Sequence, residues 1–134
     1  MVRGDEALAK MDECTRCRFG APVVLVLAYD MTVAARHPDV ADFGMVDIAI
    51  VGDHMSLAAE ELGVHSCWVG LIDPSELRRQ FGVPQTYKIV AVMPLGYPSE
   101  RSRPSRLHRM RQGIQKTVFF DSYATGKDSD ALDA

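Results

Sequence analysis

The order of predicted elements in residues 44–98 constrains the fold of this chain more than any other feature. An apolar helix over residues 44–62 is followed by a short strand over residues 64–70 that ends in glycine. A second, shorter helix begins after Asp73, and a buried strand over residues 87–93 leads into the turn sequence PLGYP. This alternation of helices and strands predicts a mixed domain in which helices cover a sheet.

The helix over residues 44–62 is apolar on nearly every side. Val46, Ile50 and Leu57 fall on one side at helical spacing, and the other side carries further apolar residues, namely Ile48, Val51, Met55, Ala58, Ala59 and Leu62. A helix of this kind is covered on most of its surface, so we expect it to pack against its own sheet and against a second subunit. Gly63 suits the C-cap, because that position favours a residue that accepts positive φ.

The short helix carries clear signals at both ends. Asp73 suits the N-cap, Pro74 the first helical position and Glu76 the third. Gly82 follows Phe81, and a proline two residues later cannot continue a helix. We therefore predict a helix that ends at Phe81.

The rest of the chain contributes weaker predictions. The run APVVLVLAY at residues 21–29 lacks alternation and predicts a strand buried on both faces in the middle of a sheet. The run TVFF at residues 117–120 is strongly β-prone and predicts a last strand. The remaining predictions are a helix over residues 6–17, a loop over 30–43, an arginine-rich surface segment over 99–111 and a disordered tail over 124–134. We expect one domain over residues 1–123.

Charge and hydropathy exclude two classes of partner. The formal charge is −3 over 134 residues, so there is no strong positive field and we expect no nucleic-acid partner. The longest uninterrupted apolar run, residues 21–29, is far shorter than the roughly 20 residues that cross a bilayer, so we expect no membrane span. The first ten residues are polar and mixed in charge, and we expect a cytoplasmic protein.

The spacing Cys14-Thr-Arg-Cys17 is that of zinc ribbons and dithiol redox sites. A second pair of ligands at matching spacing is missing from the sequence, since the four histidines are scattered singly. A redox motif of this type would follow a strand, whereas this pair precedes the one at residues 21–29. We interpret Cys14 and Cys17 as ordinary thiols, with a small zinc or redox protein as the lower-ranked alternative.

Five blocks of the chain, in order and at suitable spacing, resemble the nitroreductase family of FMN-dependent NAD(P)H oxidoreductases. They are CTRCRFGAPVVLVLAY from Cys14, FGMVDIAI from Phe43, GVHSCWVG from Gly63, PLGYP from Pro94 and RQGIQKTVFF from Arg111. The resemblance implies an α+β fold with a mostly antiparallel sheet flanked by helices. It also implies a homodimer that binds FMN at its interface, in which each C-terminal strand joins the partner's sheet.

The resemblance assigns candidate cofactor-binding residues in two places. Trp68, Val69, Gly70 and Leu71 correspond to the family segment that covers one face of the flavin ring, with its backbone near N5. A glycine at Gly70 would let a backbone N–H approach a ring edge closely. The alternative interpretation of Trp68 is a core aromatic residue at a strand end.

The basic residues that meet the FMN phosphate in this family correspond to Arg111 and, with a weaker match, Arg109. Arginine suits this task because its planar guanidinium forms paired, charge-assisted hydrogen bonds to phosphate. The alternative is a solvated basic run, in which five arginines share no ligand: Arg101, Arg103, Arg106, Arg109 and Arg111.

Two family segments have no counterpart in this sequence, an Arg-x-Ser-x-Arg-like phosphate clamp and an Asn-x-Gln-Pro-Trp-like segment. The chain therefore resembles the C-terminal portion of a nitroreductase, a truncated or half-length form. The resemblance implies hydride transfer from NADH or NADPH through FMN to a small aromatic acceptor such as a nitroaromatic or a quinone, with no catalytic side chain and no metal. The alternative function is a flavin-free remnant that serves as a dimerisation or interaction module.

Overall fold

The computed structural model describes residues 1–37, 42–121 and 123. These residues fall into two compact units, and the division lies between Glu100 and Arg101. The elements of the first unit are strands β1 to β4 and helices α1 to α3, in the order β1 (Val2–Arg3), α1 (Asp5–Cys14), β2 (Val23–Asp30), α2 (Phe43–Glu61), β3 (His65–Ser66), α3 (Pro74–Phe81) and β4 (Tyr87–Gly96). Two short 3₁₀-helices in the second unit span Arg106–Arg109 and Ile114–Lys116. The single domain over residues 1–123 stays a prediction.

The first unit is built on a four-stranded antiparallel sheet with strand order β1-β2-β4-β3. Strands β2 and β4 form the long central ladder, which is interrupted by a bulge between Leu27 and Ala28. Strand β2 therefore lies mid-sheet, as its unbroken apolar run predicted. The α+β class with a mostly antiparallel sheet is confirmed.

Helices cover both faces of this sheet. Val24 of β2 belongs to the buried cluster that contains Leu8 of α1 and Leu77 of α3. Leu27, three residues later, belongs to a second cluster in which Ile48 of α2 packs against the opposite face. Successive side chains of a strand point to opposite faces, so β2 contributes to both cores. Among the described residues, no helix combines the length and apolar character needed to cross a membrane.

Helix α2 contacts its own sheet along one narrow face. Gly44 and Gly52 are its buried residues, and Ile48 between them is half-buried. These three residues are four apart in sequence and lie on one face of the helix. The helix contacts the sheet along this face, where Ile48 has a glycine one turn to either side. The larger apolar side chains project away and are exposed: Met45, Val46, Ile50, Val51, Met55 and Leu57. The predicted contact of α2 with its own sheet is thus made by this one face, and coverage of the other sides by a second subunit stays a prediction.

The predicted ends of α3 and α2 are confirmed. The Asp73 carboxylate accepts hydrogen bonds from the backbone N–H groups of Ser75 (2.9 Å) and Glu76 (3.0 Å). Gly82 ends α3 with φ 64°, and Gly63 after α2 has φ 73°. Both glycines occupy the left-handed region that residues with a Cβ rarely adopt.

Three predicted boundaries are wrong. The strand expected at residues 64–70 is only His65–Ser66, followed by an isolated bridge between Val69 and Val92. The turn expected to begin at residue 94 begins later, because β4 continues to Gly96 and Pro94 pairs with Val24 of β2. The polar backbone groups of Pro94 point away from β2, since its carbonyl accepts from the Cys67 N–H. The N–H that proline lacks would point the same way, so the β2–β4 ladder loses no hydrogen bond. Helix α1 begins at Asp5 and ends at Cys14, before the predicted end at Cys17.

The predicted strand over residues 117–120 is not a strand in this chain. The Val118 N–H donates to the Ile114 carbonyl at 2.9 Å, which makes a turn after the second 3₁₀-helix. A β-prone sequence forms a strand only where a neighbouring strand accepts its hydrogen bonds. Exchange of this segment with a partner stays a prediction. The predicted tail at 124–134 and part of the loop at 30–43 lie outside the described residues.

Candidate functional site

The candidate flavin residues of the first unit lie in residues 67–73, here called the edge segment, which connects β3 to α3. Its first half is bonded to β4. The Cys67 N–H donates to the Pro94 carbonyl at 3.3 Å, and Val69 exchanges two backbone hydrogen bonds with Val92, at 2.9 and 3.0 Å. Val69 is thereby buried against the sheet.

The second half of the edge segment is bonded to the end of α1. The Thr15 hydroxyl donates to the Leu71 carbonyl at 2.7 Å and accepts from the Cys17 N–H at 3.1 Å. The Asp73 N–H donates to the Cys14 carbonyl at 2.8 Å. Thr15 is the buried polar residue at this junction, 6% exposed. The edge segment is therefore held by rigid elements at both ends, which is what a precise binding site requires.

The outer side of the edge segment carries open hydrogen-bond donors. Among the described residues, no protein group accepts from the backbone N–H of Trp68, Gly70 or Leu71. A Cβ added at Gly70 would meet no heavy atom within 4 Å, and the Leu71 side chain is 73% exposed. A flat ligand can therefore approach the backbone at Gly70 without a side chain in its path.

Trp68 is packed on one side, as a core aromatic residue would be, and is partly exposed, as a residue that covers a flavin would be. Its indole contacts Gly52 of α2 and lies near Leu27 of β2, as a core aromatic residue would. Its side chain is nevertheless 41% exposed. The ring edge that carries Cζ2 and Cη2 is packed against α2, and the residue as a whole is partly open to solvent.

Arg109 and Arg111 belong to the second unit. Arg109 ends the first 3₁₀-helix, and the Arg111 guanidinium donates to the His108 and Met110 carbonyls at 2.8 and 2.9 Å. Both arginines are exposed. A site shared by Gly70 and Arg111 stays a prediction.

A polar cluster at the start of α2 was missed by the sequence reasoning. The Asp42 carboxylate accepts from the Tyr29 hydroxyl and from the Lys88 ammonium, the latter at 3.0 Å. The Tyr29 hydrogen bond and, next, Lys88 lower the pKa of Asp42, and the same carboxylate raises the pKa of Lys88. Asp42 and Lys88 are 46 residues apart, and no local pattern signals such a contact.

The cysteine pair does not have the character of a reactive dithiol. Cys14 is buried, and its Sγ donates to the Lys10 carbonyl at 3.2 Å. Burial and the nearby Glu76 carboxylate raise the pKa of the Cys14 thiol to about 11. A catalytic or metal-binding cysteine needs the opposite shift, toward the thiolate. In the part of the chain that the structure describes, no three His, Cys, Asp or Glu residues group as metal ligands.

Comparison with curated proteins finds archaeal relatives. A protein of Archaeoglobus fulgidus named as a candidate NADH dehydrogenase/NAD(P)H nitroreductase is 30% identical over 127 residues, which cover 81% of this chain and 70% of that protein. A protein of Methanothermobacter thermautotrophicus with the same name is 28% identical over 123 residues, again 81% of this chain. This chain spans 61% of the length of that second relative.

Solved structures share the fold. A nitroreductase family protein from Clostridium difficile 630 superposes with a TM-score of 0.81 at 26% identity, over 91% of this chain and 72% of that one. An FMN-dependent nitroreductase from Clostridium difficile R20291 has a TM-score of 0.62 at 19% identity, over 92% of this chain and 82% of that one. At that identity the second likeness establishes the fold alone.

The family model described as Nitroreductase family matches residues 6–97, which include strands β2, β3 and β4 and the whole edge segment. That match covers well over half of the chain, and it agrees with the curated relatives and the solved structures. The chain belongs to the nitroreductase family.

Proposed function

We propose that this protein is an FMN-dependent oxidoreductase that transfers hydride from NADH or NADPH to a nitroaromatic or quinone-like acceptor. The observation that carries the proposal is the row of open backbone donors at Trp68, Gly70 and Leu71 on a rigidly held edge. The isoalloxazine ring is flat and presents hydrogen-bond acceptors along its edge, so these donors fit it. Family membership supports the same cofactor.

The side chains have a modest part in the proposed chemistry. FMN, when bound, supplies the two-electron transfer, so the protein needs neither a nucleophile nor a metal. Trp68 and Leu71 would cover the ring and exclude water, while the N–H of Gly70 would orient its edge. Arg111 and Arg109 would bind the phosphate, because both carry guanidinium groups on an exposed segment.

Purified protein tests the ring contact directly. Titration with FMN in the visible range measures the dissociation constant, and oxidation of NADH or NADPH with a quinone acceptor measures turnover. Gly70→Val places a branched side chain in open space, so the fold should tolerate it while FMN affinity falls by about tenfold or more. Gly96→Ala is the matched control, because its Cβ would make an ordinary 3.4 Å contact with Pro22.

The phosphate contact is tested by comparing FMN with riboflavin. Arg111→Ala should weaken FMN binding and leave riboflavin binding unchanged, since the two ligands differ only in the phosphate. Arg106→Ala, a neighbouring exposed arginine without an assigned role, serves as the control. A protein that stays colourless with excess FMN would contradict the proposed function.

A homodimer completes the proposal. The exposed apolar side chains of α2 form a continuous helical surface, which isolated soluble domains seldom leave open to water. The same observation favours the second candidate function, a flavin-free dimerisation or interaction module. Light scattering separates the possibilities when combined with the FMN titration: a dimer that binds FMN supports the enzyme, and a colourless dimer supports the module.

A further inference from the structure

Helix α2 approaches the sheet unusually closely at Gly52. A Cβ placed at Gly52 would lie 2.5 Å from both Cζ2 and Cη2 of Trp68 and 2.9 Å from Cδ1 of Leu27. Distances below 3.0 Å are not seen for real Cβ atoms, so the indole occupies the space that any other residue would need. Gly52 is buried in the middle of a 19-residue helix.

Glycine at this position has a cost for the helix itself. In a helix interior it is less favourable than alanine, because the unfolded backbone has more freedom to lose. The close contact with Trp68 offsets that cost by allowing the ring to lie against the helix. Gly52 therefore acts on the shape of the edge segment, although it is 16 residues away in sequence.

We infer that Gly52 is a positioning residue, which sets the orientation of the Trp68 indole and thereby the shape of the edge segment around Gly70. The inference rests on the proposed function where it concerns flavin. With any larger residue at position 52, the indole must move away from α2, because the new Cβ would overlap its Cζ2 and Cη2 atoms. A displaced indole changes the surface beside the open donors, because Trp68, Gly70 and Leu71 belong to the same edge segment.

The decisive variant is Gly52→Ala, and the readout is the fluorescence of Trp68, the sole tryptophan of the chain. Without FMN present, we expect a shift of the emission maximum to longer wavelength and stronger quenching by acrylamide, since the ring becomes more exposed. In the FMN titration we expect an affinity loss of about tenfold. Unchanged emission and unchanged affinity would overturn the inference.

Gly44→Ala is the matched control on the same face of the same helix. A Cβ at Gly44 would overlap ring carbons of Tyr29, its three nearest atoms, so this variant displaces the Tyr29 ring where Gly52→Ala displaces the Trp68 ring. We expect Trp68 emission and FMN affinity to stay at their wild-type values in this variant. If Gly44→Ala shifts the emission as much as Gly52→Ala does, the effect comes from displacement of the whole helix, and the specific role of Gly52 is wrong.

Rescue supplies a second criterion. Trp68→Phe removes the part of the indole that contains Cζ2 and Cη2, so adding Gly52→Ala to this variant should cost no further FMN affinity. If Gly52→Ala lowers FMN affinity equally in the wild-type and the Trp68→Phe backgrounds, the two residues act independently and the inference is wrong.

The two hypotheses fail in distinguishable ways. If the wild-type protein binds no FMN, the proposed function is wrong, and the emission shift of Gly52→Ala without ligand still tests the contact with Trp68. If the wild-type protein binds FMN but Gly52→Ala behaves like Gly44→Ala, the inference is wrong and the proposed function stands.

Discussion

Cys14 illustrates at the residue scale how burial decides chemistry. Its sequence spacing to Cys17 is that of a metal or redox pair, yet its sulfur lies in the core between α1 and α3. A buried thiol is held in the protonated form, and with a pKa of about 11 it is a poor nucleophile at neutral pH. Cys67, by contrast, is exposed.

Alkylation measures this difference. With iodoacetamide at about pH 8, the native protein should be modified at Cys67, and Cys14 should react at a comparable rate only after unfolding in urea. Mass spectrometry of peptides quantifies each site in the same sample. Reaction of Cys14 in the native protein as fast as Cys67 would contradict its burial.

Asp42 gives a pH-dependent prediction. The Tyr29 hydroxyl and the Lys88 ammonium hold the pKa of the folded carboxyl below its ordinary value of 3.8. A lowered pKa in the folded state means that the stabilisation is present above about pH 4 and is lost as pH falls through the lower folded value. Asp42→Asn removes the charge but keeps a residue that tolerates the positive φ of 48°.

Urea unfolding of wild-type protein and Asp42→Asn across this range checks the sign. The wild-type protein should be the more stable of the two near neutral pH, and the difference should shrink as the carboxyl becomes protonated. A difference that grows toward acid would show that the carboxylate is not stabilised by its two partners.

At the scale of elements, α2 and α3 differ in what positions them. Helix α3 is defined by its caps, Asp73 and Gly82, and by the burial of Leu77. Helix α2 has no side-chain cap and buries two glycines. Its position therefore depends on the sheet beneath it and on the Tyr29 and Trp68 rings that its glycines accommodate.

The cap of α3 can be tested by Asp73→Ala. Loss of the two hydrogen bonds to Ser75 and Glu76 should lower the free energy of unfolding by about 1 kcal/mol, measured by urea denaturation. Ser75→Ala is the control, since the Ser75 side chain takes no part in the cap. Equal stability of the Asp73→Ala variant and the wild type would mean that water replaces the cap at no cost.

At the scale of the whole molecule, the exposed apolar surface of α2 is the main feature that the single chain leaves unexplained. Val51, Met55 and Ala58 share one face at helical spacing, and all three are exposed. Exposed apolar side chains are unfavourable in water. Association with a second copy would remove this face from the solvent.

Ala58→Glu separates folding from association. Because position 58 is exposed in the isolated chain, the variant should fold with a circular dichroism spectrum like that of the wild type. A charge buried at a dry interface costs several kcal/mol, so the variant should be monomeric by light scattering where the wild type is dimeric. Ala9→Glu on the exposed side of α1 is the control. A dimeric Ala58→Glu protein would place the interface elsewhere.

Prediction from sequence succeeded where local backbone chemistry decides the outcome. The ends of α3 follow from Asp73 and Gly82, whose roles depend on neighbours within one helical turn. The central strands follow from apolar runs that suit a covered sheet. The family was recognisable because its blocks are themselves local segments.

The tertiary structure alone decided which side of α2 meets the sheet, because an all-round apolar helix has no periodicity that selects a face. It alone brought Asp42 to Lys88 and Gly52 to Trp68, since such contacts depend on how separate elements pack and not on sequence spacing. Residues 117–120 show the same limit, because a strand needs a pairing edge that its own sequence does not contain. The sequence by itself determined the elements and their order, and packing determined which of their groups face each other, face water or stay open to a ligand.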